Sequence, residues 1–368
     1  MSESYKVRIL KVILQSLDKS NLQKDQINYV LQVGGGCRMP MIKDLLKEVF
    51  PTADHRCMLN PDWVVANGAA LFAYYLNISK FELNDKRLAT PSEFGNCGNK
   101  SNAVGIDFGS SKVCASFIKR NGPSAAISDP KILSLPSYVA FDGIIPKCGK
   151  IVVDRIQHNF EYSVFDIHRI FGKSYDEIIQ DPDWPFKIVK HNDKVYIEVK
   201  TINGKERKSP EEIISILLHQ IKTIFDDFQN ELLTDAIISI PSYFSEKQRF
   251  ALHEAATLAG WENIYFLPEF IAASFAYLNE FDISNNSNIL IFNLGNTVSA
   301  CIGRIENGKF KFLSDEYNLH LGVHDFDKEL IGLFVDTVMP KCDLTKLDKK
   351  YLEQKFQEIK HTQRDDAW

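Results

Sequence analysis

The sequence contains no apolar run near the roughly 18 residues that a membrane-spanning helix needs, no excess of positive charge, and no pair of cysteines at C-x-x-C spacing. Each absence removes a class of function. Without a long apolar run no membrane span is expected, and a net charge of −5 with a pI near 6.0 gives no basic footprint for nucleic acid. Seven scattered cysteines imply neither disulfides nor a zinc site, but the reduced thiols of a cytoplasmic protein. The opening Met1-Ser-Glu-Ser-Tyr-Lys lacks the shape of a signal peptide. What is present, 368 residues with 45% hydrophobic and 25% charged content, describes a globular chain of two or three domains with a sizeable core.

The chain is organised around residues 103–117, an apolar run ending in Asp107, a tight Gly109-Ser110-Ser111 turn, and a second apolar run. This predicts strand, turn, strand. Gly109 lets backbone approach a ligand, the serines offer hydroxyls and N–H groups, and Asp107 ends a buried strand where a carboxylate could hold a hydrated cation. An ordinary hairpin with a polar turn has the same sequence appearance, so its company decides. Residues 289–302 repeat the device: apolar strand, a turn carrying Gly295 and Thr297, second strand. Two such turns are what two related lobes closing on one nucleotide would show.

Earlier in the chain, a helical pattern at 7–17 leads to a strand at 27–33, then Gly34-Gly35-Gly36-Cys37-Arg38-Met39-Pro40 and an amphipathic helix. Glycines at a strand-to-helix turn can bring backbone against a flat or phosphorylated ligand, with Arg38 reaching over it; a plain connection is the alternative. Asn60-Pro61-Asp62 opens a helix to Leu76, with Ala66, Gly68, Ala69 and Ala70 forming a small face for close approach by another element. Residues 77–102 lose all periodicity and read as a linker. Further on, residues 135–141 read as one strand, 142–160 as irregular, and 165–171 as a helix. Residues 184–189 and 195–199 read as paired strands, and Ser209 and Ser245 cap helices on either side of a strand at 235–240. Glu269 falls between a strand and a helix, where open α/β sheets keep their ligands.

Taken together, these motifs resemble the nucleotide-binding domain of the Hsp70 chaperones. The likeness is carried by Val104-Gly-Ile-Asp-Phe-Gly-Ser-Ser, Leu135-Pro-Ser-Tyr-Val-Ala-Phe, Trp184-Pro-Phe, Ile240-Pro-Ser-Tyr-Phe, Leu321-Gly-Val-His-Asp-Phe-Asp, Val33-Gly-Gly-Gly-Cys-Arg-Met-Pro and Asn60-Pro-Asp. The order differs from the family's: the adenosine turn and closing helix, which end the family's domain, come first here, as in a circularly permuted domain or a junction cut from a tandem array. The resemblance implies an α/β, actin-like ATPase (ribonuclease H-like) fold of two lobes, with the outer subdomain of the second lobe mostly missing. Residues 1–78 resemble the end of that domain, 79–102 form the linker, 103–283 resemble the first lobe and 284–368 the start of the second. Permutation requires the strand at 27–33 to share a sheet with 289–292.

By the same resemblance, Asp107 and Glu269 occupy catalytic positions, Asp107 also facing Mg²⁺ through water. Gly109, Ser110, Ser111, Gly34, Gly35, Gly36, Arg38, Asp62, Gly295, Thr297, Gly322 and Lys360 fall at nucleotide-binding positions. Three positions depart from the pattern. The second phosphate turn has Asn293 and Ser299 where the family has aspartates, and the expected catalytic lysine aligns on Val153, leaving Lys150 or Lys147 as substitutes through a shifted loop. Loss of charge where phosphoryl transfer depends on it implies ATP or ADP binding with weak hydrolysis or none. A shortened turn and Lys47-Glu-Val-Phe-Pro51 are similar to the atypical, ribosome-associated Hsp70-like branch. The implied partners are adenine nucleotide, J-domain proteins, exchange factors or ribosomes. A non-catalytic interaction module or fragment that binds no nucleotide is the other reading.

Overall fold

The computed structural model describes residues 3–58, 60–76, 103–118, 131–338 and 344–362, and the expected linker over 79–102 lies outside them. The first stretch runs α1 (Glu3–Ser20), β1 (Tyr29–Val33), α2 (Pro40–Val49), β2 (Asp54–Cys57) and α3 (Val64–Leu76). The second opens with three antiparallel strands, β3 (Ala103–Phe108), β4 (Lys112–Phe117) and β5 (Lys131–Pro136). Small strands β6 (Val139–Ala140), β7 (Lys147–Cys148) and β8 (Ser163–Val164) form their own sheet, with short helices α4 (Lys150–Asp154) and α5 (Ile156–Asn159) between the last two. A meander of β9 (Lys187–His191), β10 (Lys194–Thr201) and β11 (Gly204–Lys208) leads into α6 (Pro210–Gln229), β12 (Asp235–Ile240), α7 (Glu246–Leu258), β13 (Asn263–Pro268) and α8 (Glu269–Glu280). The chain continues through β14 (Asn288–Leu294), β15 (Val298–Glu306), β16 (Lys309–Asn318), α9 (Val323–Val338) and α10 (Lys346–Thr362). No helix among the described residues is long and apolar enough to cross a membrane.

Local chemistry sets most boundaries. Ser209 and Ser245 close capping boxes with Glu212 and Gln248, and Pro40 and Pro210 occupy first helical positions. Asn192-Asp193 and Asn307-Gly308, all at positive φ, turn two hairpins. Three expectations change. Residues 135–141 are not one strand: Ser137 donates its N–H to Ser111 O at 2.9 Å and its hydroxyl to Gly109 O at 3.1 Å, pulling the chain out of the sheet after Pro136. The helix expected at 165–171 is a single 3₁₀ turn, Ile167–Arg169, bracketed by Asp166 at φ 57° and Gly172 at φ 65°. The stretch 142–160 holds α4 and α5 instead of being irregular throughout.

Two five-stranded sheets have the same strand order, β13-β12-β3-β4-β5 and β2-β1-β14-β15-β16. In each, three consecutive antiparallel strands are extended by two parallel ones beside the first strand of the three. In the second sheet the parallel pair comes from the N-terminal stretch and the antiparallel three from far along the chain. The register runs from Tyr29↔Ile289 to Val33↔Asn293, the pairing that permuted order requires. The reason is burial. Residues 289–292 are apolar on both faces, as buried parallel strands are. Leu290 and Phe292 pack with Ile13 of α1 and Leu46 of α2, and Ile289 and Ile291 with Ile271 and Tyr277 of α8. A Ser16–Ser314 hydrogen bond of 3.1 Å ties α1 to β16.

Helices α3 and α8 share a core with residues of both sheets, including Leu31, Ile237 and Ile291. Their crossing uses the small face anticipated on α3. A Cβ on Gly68 would lie 1.7 Å from Ala272 O of α8, and one on Gly105 of β3 would lie 2.3 Å from Ala70 N. The helix is therefore gripped on two sides by backbone, which only residues this small permit.

Candidate nucleotide site

A cleft of about 1490 Å³ is lined by the β3–β4 and β14–β15 turns, the glycine turn after β1, and the starts of α3 and α8. Asp107, next to last in β3, accepts a hydrogen bond from Ser239 Oγ at 3.0 Å. Glu269 opens α8 and accepts one from Asn293 Nδ2 at 3.1 Å. Burial pushes both carboxyls above the usual carboxylate range; the charge of Asp107 adds to the rise at Glu269, and the two hydrogen bonds oppose it. Ser299 sits behind this pair, lining with Glu269 and Asn293 a cavity of about 20 Å³, enough for a single water.

The glycine turn meets the second hairpin at close range. Gly34, at φ 83°, would place a Cβ 2.6 Å from Leu294 O, and Gly36 would place one 2.5 Å from the Leu294 side chain. A Cβ on Gly35 would lie 2.6 Å from Asp62 Oδ1. Asp62 Oδ2 takes two cations, Arg38 and Lys112, each at 3.1 Å. Gly109, Ser110 and Ser111 line the cleft at the first hairpin, Gly295 and Thr297 at the second, where Thr297 Oγ1 lies 3.3 Å from Tyr243 OH.

The remaining positions divide. Gly322 packs: a Cβ there would lie 2.0 Å from Asn296 O, and the next residue, Val323, donates its N–H to Gly295 O at 2.8 Å. Val153, on α4, faces the cleft with no charge to offer. Of the two lysines considered as substitutes, Lys147 is held by Asp142 at 3.3 Å, whereas Lys150 lines the cleft and makes only an exposed pair with Asp154 at 2.9 Å. Lys360 falls in α10, and its side chain lies outside the described residues. The far wall of the cleft is the earlier part of α10. There Lys350 Nζ sits 4.1 Å from the Phe165 ring centroid and 2.8 Å from Glu353, and Lys346 donates to Trp184 O at 3.2 Å.

Sequence reasoning missed Ser239, Lys112 and Tyr243. Ser239 left a signal, a lone hydroxyl within the apolar 236–240 run, and Lys112 left one too, a cation directly after the Gly-Ser-Ser turn. Tyr243 left none beyond its motif, since its partner lies 54 residues away.

Paired sheets of one topology, with mirrored hairpins and a glycine turn facing a single cleft, define an α/β protein of the actin-like ATPase fold. The sequence profile described as "Hsp70 protein" matches residues 1–87 and 103–363, and the chain belongs to the Hsp70 family. It is similar to a heat shock 70 kDa protein of Emericella nidulans, 31% identical over 237 residues, which are 63% of this chain and 37% of that protein. It is also similar to one of Neurospora crassa, 29% identical over 237 residues with the same coverage. The chain thus spans little more than a third of the length of these relatives in the aligned region. The family is an ATP-binding, chaperone-type family.

Proposed function

We propose that the chain is an Hsp70-type nucleotide-binding module that binds ATP or ADP with Mg²⁺ and hydrolyses ATP weakly or not at all. In this reading residues 1–78 supply the adenosine turn and closing helix, 103–283 the first phosphate turn, and 284–368 the degenerate second one. The observation that carries it is the Asn293–Glu269 hydrogen bond of 3.1 Å. It keeps the cleft's geometry while putting an amide where a charge would act. A carboxylate there would help hold a cation and would leave Glu269 free to orient an attacking water; the amide occupies Glu269 and adds no charge. Asp107 fits a hydrated Mg²⁺ brought in by phosphates, because burial disfavours its charged form and a nearby cation would reverse that. The ion would neutralise phosphate charge and orient it; no cluster of three or more ligand side chains among the described residues would hold it alone.

The cellular role that follows is chaperone-type work in the cytoplasm, assisting folding or co-chaperone complexes with J-domain proteins, exchange factors or ribosomes. A second reading, an interaction module that binds no nucleotide, draws on α9, whose Leu330, Leu333 and Val338 are 45%, 64% and 60% exposed. Titration calorimetry with Mg-ATP and Mg-ADP, with phosphate release followed on the same sample, separates the two. Binding with little turnover supports the first; no heat from a folded monomer supports the second.

A further inference from the structure

Lys112 is the first residue of β4, and strand alternation fixes where its side chain goes. Val113, Ala115 and Phe117 are buried in the core of the first sheet, so Lys112, Cys114 and Ser116 take the opposite face. On that face Ser116 Oγ lies 3.4 Å from Asn67 Oδ1 of α3, and Lys112 enters the cleft directly after the Gly109-Ser110-Ser111 turn. There Lys112 and Arg38 share one oxygen of Asp62. The Asp62 side chain is 7% exposed, against 27% for Lys112 and 28% for Arg38. Lys112 thus shares its carboxylate with a second cation and stands in the cleft beside a turn of small hydroxyl residues, Ser110 and Ser111. That combination recognises phosphoryl oxygens. The charge of Lys112 also offsets that of Asp107. Meanwhile Val153 supplies no charge, Lys147 is held by Asp142, and Lys150 lines the cleft but is 78% exposed, so water screens its charge more than that of Lys112.

We propose that Lys112 is the phosphate-binding lysine of this chain, exchanging Asp62 for the terminal phosphoryl oxygens of an adenine nucleotide. The proposal rests on the nucleotide-binding reading above. Arg38 stays with Asp62 during the exchange, so the carboxylate is not left buried and alone, and the lysine moves without a desolvation cost at its partner.

The test is calorimetric titration of the full chain and of Lys112→Met with ATP, ADP and adenosine at one Mg²⁺ concentration. The variant is expected to bind ATP and ADP about tenfold or more weakly, the usual scale for losing a charge-assisted hydrogen bond. Adenosine, which lacks phosphate, should change by less than about twofold on the same physical grounds. Lys112→Arg should recover most of the loss. An equal loss for all three ligands would mean that Lys112 only tethers α3 to the hairpin, and unchanged ATP affinity would mean that it does nothing for phosphate; either overturns the proposal alone. A parent chain that binds no ATP overturns the nucleotide reading with it. Thermal unfolding without ligand checks that the variants fold; if Lys112→Met does not, Lys112→Gln, which can still donate to Asp62, is read in the same way.

Discussion

The β3–β4 and β14–β15 hairpins hold equivalent places, each opening the antiparallel part of its sheet with a parallel strand on the other side. The first has Asp107 next to last in its strand and turns at Gly109, where a Cβ would lie 2.5 Å from Lys112 O; the second has Asn293 at that place and turns at Gly295, with nothing within 4 Å. The same contrast recurs where the crossing helices begin. Asp62, before α3, holds two cations, whereas Glu269, at the start of α8, holds an amide. Strand order is the same in the two sheets, and the charge at their turns is not. Shape therefore rests on many core residues, each of modest weight, while the chemistry rests on a few ionised groups that can be replaced without loosening the fold.

The largest effect should come from the contact that joins the halves. Gly68→Ala would drive a methyl into Ala272 O and is expected to cost about 3 kcal/mol or more, measured by urea unfolding. A loss under about 1 kcal/mol would show that α3 and α8 do not pack this tightly.

Acid should act next, and on the first half. His168 stacks on Phe108 at 4.2 Å, and burial pushes its pKa down to about 3. A base with a depressed folded pKa binds its proton on unfolding, so its stabilising effect is complete above the unfolded value near 6.5 and lost as pH falls from there toward 3. At about 1.4 kcal/mol per pH unit, His168 alone would remove roughly 2 kcal/mol by pH 5, while the raised carboxyls Asp107 and Glu269 act in the opposite direction, so the effect is read as the difference between parent and variant. His168→Phe should gain roughly 2 kcal/mol relative to the parent between pH 6.5 and pH 5, measured by urea unfolding at each pH.

Recharging the second hairpin sharpens the comparison. Asn293→Asp removes the donor to Glu269 and sets a third carboxyl near it, so stability without ligand should fall by about 1–2 kcal/mol. Mg-ATP should restore it, and phosphate release should rise above that of the parent. A variant equally stable with and without Mg-ATP would count against Asn293 as a determinant of nucleotide handling. The smallest effect is a matched pair: Gly109→Ala should cost about 1 kcal/mol and Gly295→Ala less than about 0.5, by thermal unfolding.

Much of this was legible in residue order. Alternating and continuous apolar runs placed β3, β12 and β14, and Ser209 and Ser245 marked the starts of α6 and α7, because each depends on neighbours along the chain. The failures have a common origin. The break after Pro136 is made by Ser137 bonding residues 109 and 111, and the lost helix at 165–171 by positive φ at Asp166 and Gly172, both set by distant packing.

For the site, the sequence by itself determined which residue types stand at the two turns, and thereby where charge is kept and where it is missing, because side-chain identity is independent of folding. The permuted order was visible as well, through the likeness of its motifs to those of the Hsp70 domain. Only the tertiary structure decided that β1 pairs with β14, that Asp62 is shared by Arg38 and Lys112, and that Asn293 holds Glu269. Those contacts join groups far apart in sequence, and their partners are chosen by the packing of two sheets around α3 and α8, which no local pattern specifies.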